Sequence, residues 1–280
     1  MQRNRFSGNY FLKLRVAYVG VLLVLFYRLA QGVLISHMQQ PHLFDLHQNA
    51  YSLSSISTVP YWLTQHTALA IVFDVLLCAM PLIVMFTANR LAAIASTVLL
   101  LIYMMLFNMA ANHAYHGLIG AVVITIPFWC KTDQRFNLLW DAARYYWLYV
   151  FASAGLWKIL RGSAFLTDQM SNILMQQQLD YLLQQPHTFK ASVIQYLISH
   201  PTLSHGVLLV NVCLQLSFLA GFFTRRFDTA LIILSVVFCL ANYFVMSIVS
   251  SELLILNLTL INWDKIEMLV AGRNAKASTV

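Results

Sequence analysis

Charge is what this sequence has least of. Lys, Arg, Asp and Glu make up 10% of its 280 residues, against 60% hydrophobic. A soluble globular domain carries roughly a quarter charged residues, so a mean hydropathy of +0.69 excludes that class. Cysteine is scarce as well, at four. Cys78, Cys130, Cys213 and Cys239 form no C-x-x-C pair, which argues against a disulfide framework or a thiol-redox site and for plain packing. There is no G-x-G-x-x-G, P-loop, H-E-x-x-H or G-x-S-x-G, so nothing supports a nucleotide site. The net charge of +7 invites a nucleic-acid reading. The cations are spread over several connections and lie on no single element, so nucleic acid is set aside.

What the chain does have is long apolar runs. A spanning helix needs about 20 mostly apolar residues. Eight segments are predicted, at about 14–36, 66–88, 91–111, 115–130, 143–160, 206–224, 227–247 and 249–263. Pro81 predicts a kink in the second. The fold expected is an all-α integral membrane protein, one bundle of about eight transmembrane helices. Tyr61, Trp62, Trp129, Trp140, Trp147 and Trp263 are expected to mark aromatic belts. The amino terminus resembles a signal peptide, but the apolar stretch continues without an A-x-A site and is read as a retained helix.

The few cations are unevenly placed. Thirteen of the 17 Lys and Arg fall before the first segment and in alternate connections from Arg90 to Lys276. Cytoplasmic loops carry this excess, so both termini are expected in the cytoplasm, with a bacterial inner membrane as the expected setting. Two long connections then face outward. The first, about 37–65, has no Lys or Arg and holds His37, His42, His47 and Asp45, read as solvated. In the second, about 161–205, Met170, Ile173, Leu174, Leu182 and Leu183 recur at near-helical spacing. That pattern predicts outer-surface amphipathic helices, as a lid on the bundle, a membrane contact, or both.

Ionisable groups within spans are costly, roughly 2.5–3.5 kcal/mol each on insertion scales, and usually face the bundle interior. They are Arg28, Asp74, Lys158 and Glu252, with Asn211, Gln215, Asn242 and Asn257 as further buried polarity. An Arg28–Asp74 ion pair and an anion-binding Arg28 are the two readings of the first pair. Asp228, beside Arg226 at an inner end, reads as solvated. Lys158 either snorkels outward or sits among Phe151, Leu156 and Trp157 as a lysine of lowered pKa, able to act as a base. Asn112-His113-Ala114-Tyr115-His116 lies on the same outer side. Its two histidines are too few for a metal site, and none is expected.

Together these segments resemble a known family. Leu25-Phe26-Tyr27-Arg28-Leu29-Ala30-Gln31-Gly32 resembles the L-F-R-I-x-x-G motif of the horizontally transferred transmembrane family, which includes the membrane portion of vitamin K-dependent gamma-carboxylase. Asn112-His113-Ala114-Tyr115 is similar to its N-H-x-Y stretch. Phe151 through Lys158 and Ile159 resembles F-x-A-G-x-x-K-L with one extra residue. The resemblance implies a quinone or hydroquinone as the lipophilic small-molecule substrate, bound in an outward-facing pocket. It implies Lys158 as the catalytic base with His113, and Asn112, Tyr115, His116 and Arg28 around the substrate. The chain departs from the pattern after the lysine, where Arg161, Gly162 and Ser163 replace an expected tryptophan. A non-catalytic membrane scaffold or partner subunit is the alternative.

Overall fold

Helices form every regular element among the described residues of the structure, a computed structural model that describes 8–38, 66–110, 115–247 and 251–268. The α-helices are α1 (Gly8–Ala30), α2 (Thr67–Thr87), α3 (Arg90–Ala110), α4 (Tyr115–Thr125), α5 (Asp133–Leu160), α6 (Gln169–Gln184), α7 (Phe189–Ser199), α8 (Pro201–Ser217), α9 (Ala220–Phe223) and α10 (Asp228–Met246). Short 3-10 turns follow α1, α4 and α5.

Five stretches are long and apolar enough to cross a membrane: Asn9–His37, Thr67–Thr87, Arg90–Phe107, Pro201–Phe223 and Asp228–Met246. They are apolar on their exposed sides too. Val19, Leu23 and Phe26 on α1 and Ile233, Val237 and Leu240 on α10 all stand open. A helix hydrophobic all round belongs in a core or a membrane, and these side chains have no protein core around them.

The other three expected crossings take different forms. The segment at 115–130 is an 11-residue helix, α4, extended by the 3-10 turn Ile126–Trp129. The segment at 143–160 is the end of the 28-residue α5, whose start carries Asp133, Arg135, Asp141 and Arg144. The segment at 249–263 contains a nine-residue 3-10 helix, Ser251–Thr259. At about 2 Å rise per residue it spans far less than the roughly 30 Å hydrocarbon layer. Length and apolarity therefore support five crossings, and α2 runs through Pro81 without a break.

Contacts divide the chain into two compact units, Met1–Ala143 with Ile261–Val280, and Arg144–Leu260. In the first, α1 packs on α2 and α4, and α3 packs on α2 and α4. Tyr10, Leu14, Ala17, Tyr18, Val21, Leu25 and Arg28 form the buried stripe of α1, at the three-and-four spacing of one helix face. Its amino-terminal end meets an aromatic cluster. Tyr10 lies edge-on to Phe128 and Phe136, and Trp140 touches Phe128, Phe136 and Trp263. Lys13 places its ammonium 5.5 Å from the Phe136 ring centre and 5.3 Å from that of Trp140. Trp140 and Trp263 are thus core residues, as is Trp147 in the second unit, rather than members of an interfacial belt. Large aromatic rings satisfy both roles by composition, and only packing separates them.

The second unit is built around Trp147, Phe151, Phe218 and Phe238. Phe151 stacks on Phe218 at 4.1 Å between ring centres and meets Phe238 edge-on at 5.0 Å. Trp147 Nε1 donates to Asn257 Oδ1 at 2.9 Å, and Ser235 Oγ donates to the same oxygen at 2.9 Å. Asn257, on the 3-10 helix of the expected eighth segment, bridges α5 and α10. Nearby, Arg144 is fully buried. Its Nε and Nη2 donate to Asp228 Oδ2 and Oδ1 at 3.2 and 2.6 Å, and Nη2 also donates to Gly221 O at 2.9 Å. The expectation of a solvated Asp228 is corrected here: the carboxylate is buried against the guanidinium. Gly221 makes this possible. A Cβ there would lie 2.6 Å from Leu148 Cδ2 and 2.9 Å from Leu231 Cδ1, so any side chain would force both leucines to move.

Candidate functional site around Lys158

Phe151, Gly155 and Lys158 share one face of α5 at i, i+4 and i+7. At Gly155 α8 comes close. A Cβ on it would meet Gln215 Cβ at 3.0 Å and the Leu216 side chain at 3.2 Å. The missing side chain brings Gln215 within reach of the lysine. Lys158 Nζ donates to Gln215 Oε1 at 2.8 Å, with a longer contact to Ala154 O at 3.4 Å. Gln215 is buried and Lys158 is half-buried. Lys158 therefore reaches sideways to α8, neither free in water nor sealed in an apolar pocket. Leu156 and Trp157 do not enclose it. Both are about half exposed, because successive helix positions turn by about 100° and these two fall on the other flank.

The helix stops just beyond the lysine. Gly162 adopts φ +75, a left-handed value that suits glycine, and its N–H donates to Ile159 O at 2.9 Å. Ser163 Oγ donates to Lys158 O at 3.0 Å. Arg161, in the place of the expected tryptophan, lies over the Trp157 ring at 4.4 Å. One turn before Gln215, on the same side of α8, Asn211 holds a buried Oδ1 that accepts no hydrogen bond from any described residue. A half-buried amine with a remaining donor and a buried amide oxygen thus stand along one side of the α5–α8 crossing. They are suited to a ligand carrying a hydroxyl. Gln215, Asn211 and Gly155 complete the site. Sequence reasoning saw the first two only as buried polarity, because partners 57 residues apart leave no local spacing signal.

An open groove of about 920 Å³ runs along α8, lined by Ser199, His200, Pro201, Leu203, Val207 and Val210. It lies on the face of α8 away from Gln215, so it is separate from the lysine.

The remaining candidates belong to the first unit. Arg28 is buried, its guanidinium 4.2 Å above the Phe107 ring. Asp74 does not take Arg28 as its partner. Its Oδ1 accepts from Ile35 N at 3.2 Å and its Oδ2 from Ser36 N at 2.8 Å. The 3-10 turn Ile35–His37 thus presents its free N–H groups to the carboxylate, which replaces the expected Arg28–Asp74 ion pair. Asp74→Ala leaves two amides without their acceptor and is expected to cost about 1–3 kcal/mol, read as a fall in the melting temperature in detergent. An unchanged melting temperature would show the cap to be dispensable. Tyr115 and His116 open α4. Asn112 and His113, like His42, His47 and Asp45, lie outside the described residues.

Compared with known proteins, the chain matches no family model, no curated protein and no solved structure.

Proposed function

We propose that the chain is a multi-pass membrane protein of the horizontally transferred transmembrane type that binds a quinone- or hydroquinone-like molecule at the end of α5. The carrying observation is the Lys158–Gln215 hydrogen bond at the Gly155 crossing, with the open acceptor of Asn211 beside it. A polar group placed at this expense among apolar helices marks function by default. Lys158, as the free amine, takes the proton of a ring hydroxyl and leaves the hydroquinone monoanion and an ammonium. Gln215 orients the amine. The family resemblance also suggests His113 as a catalytic partner and Asn112, Tyr115, His116 and Arg28 as substrate-binding residues. In this reading α4 with its 3-10 turn, the end of α5 and the whole 249–263 segment, longer than its 3-10 helix alone, complete eight crossings. Both termini are then cytoplasmic in a bacterial inner membrane, and α6 and α7 lie outside. Carboxylation of a peptide glutamate is the activity the family resemblance suggests.

One observation favours a second reading. The Lys158 amine already has an internal acceptor, as a structural polar staple in a non-catalytic scaffold would. Mass spectrometry of lipid extracts from the purified protein separates the two. A stoichiometric quinone supports the first reading, and its absence together with no saturable hydroquinone binding supports the scaffold. Topology is checked with single cysteines at the exposed Ser192 and at Ser278, in a background without the native thiols. In intact cells an impermeant thiol reagent is expected to label the first and spare the second. The reverse pattern would place Lys158 on the cytoplasmic side.

A further inference from the structure

The hairpin of α6 and α7 has two apolar sides, and only one of them is used inside the protein. On the inner side Met170, Leu174, Ile194 and Leu197 form a cluster with Leu208 of α8, against which Val245 and Met246 of α10 also pack. The other side of α6 carries Met175, Leu179 and Leu183 at i, i+4 and i+8, each half exposed or more. Phe165 and Leu166 just before α6 and Phe189 at the start of α7 are equally open. Gln177, Asp180 and Gln184 occupy a third, polar side. Asn172 begins the bare side and Gln176 borders it, so the helix divides into a packed face, an exposed and mainly apolar face, and a wet face.

The place of the hairpin says what covers the bare face. Leu208 is the eighth residue of α8, about 10 Å along the helix at 1.5 Å per residue. Met246 is the last residue of α10. The hairpin therefore lies alongside the ends of two helices that are long and apolar enough to cross a bilayer. It is fastened there. Lys190 Nζ donates to Ser247 Oγ at 2.7 Å, Ser247 Oγ donates to Gln178 Oε1 at 3.2 Å, and the Lys190 ammonium lies 4.7 Å over the Tyr181 ring. A bilayer around α8 and α10 reaches the hairpin at its boundary layer. We infer that α6 lies in the headgroup–acyl boundary, with Met175, Leu179 and Leu183 inserted among lipid chains. The lipid recognised is not anionic. Between Arg161 and Lys190 there is no Lys or Arg, and Asp168 and Asp180 are the only full charges. Attachment then rests on apolar insertion, without the cationic attraction that anchors basic amphipathic helices. The inference rests on α8 and α10 crossing the membrane and is independent of any role for Lys158.

The test uses the full chain, free of native cysteines, in phosphatidylcholine nanodiscs. An environment-sensitive fluorophore is attached singly at Leu179→Cys, Leu183→Cys, Gln177→Cys or Asp180→Cys. A nitroxide near the top of the lipid acyl chain is expected to quench the first two several-fold more than the last two. Added phosphatidylglycerol should leave the contrast unchanged. Equal quenching at all four positions would overturn the inference. So would blue-shifted emission at 179 and 183 without lipid quenching, since a protein surface would then be the cover. A contrast that appears only with anionic lipid would overturn the stated lipid preference.

Discussion

Asp228→Ala is expected to destabilise the protein by about 3–5 kcal/mol, the largest effect of any single substitution proposed here. The guanidinium of Arg144 is 1% exposed and makes both of its carboxylate bonds to Asp228. Without the carboxylate it keeps the carbonyl of Gly221 and the Tyr145 ring 5.5 Å away, neither of which carries a full negative charge. A charge left buried without its counter-ion costs far more than an ion pair contributes, because desolvation remains and the attraction is gone. Arg144→Met paired with Asp228→Leu removes both charges and should recover most of the loss. The measurement is thermal or denaturant unfolding of the wild type, Asp228→Ala and the double variant in detergent. If Asp228→Ala melts with the wild type, water reaches the site and the pair is ornamental. If the double variant is as unstable as the single, side-chain volume rather than charge sets the cost.

Lys158→Ala is expected to lower hydroquinone turnover by about 100- to 10,000-fold, the usual contribution of a positioned acid or base. Folding should be little changed, because the lysine is half-buried and its loss strands one amide oxygen, that of Gln215. Gln215→Leu separates positioning from proton transfer. It keeps the amine, so the expected result is a smaller loss in kcat with binding of the hydroquinone largely retained. The assay is oxidation or epoxidation of a hydroquinone by purified protein. Equal rates for wild type and Lys158→Ala would make the lysine a staple between α5 and α8. A rate unaltered by Gln215→Leu would show that the 2.8 Å bond plays no part in placing the amine.

The contrast between these two sites shows what a sequence of this kind discloses. Lys158 and Arg28 stand out on reading because a charge inside an apolar run is visible by itself. Arg144 and Asp228 each sit at the edge of an apolar run, where a solvated charge is ordinary. Only their meeting across 84 residues of chain makes them a buried pair. Gly155 and Gly221 are similar cases. As letters they are two of ten glycines, and as positions they are places where a Cβ would strike a neighbouring helix.

The sequence by itself determined the all-helical membrane class, the location of the five apolar stretches and the amphipathic character of the segment between α5 and α8. Each is a one-dimensional quantity, a run length or a period, and the bilayer and the helix read such quantities directly. Tertiary structure decided the rest. It made a short 3-10 helix of an expected crossing and buried Trp140, Trp147 and Trp263 in cores. It gave Asp74 to two backbone amides and Lys158 to Gln215. It also split the apolar residues of α6 between a packed face and an open one. All of these depend on which distant surfaces meet. Hydrophobicity has no direction, so a leucine that faces a neighbouring helix and one that faces solvent or lipid are the same letter until the helices have packed.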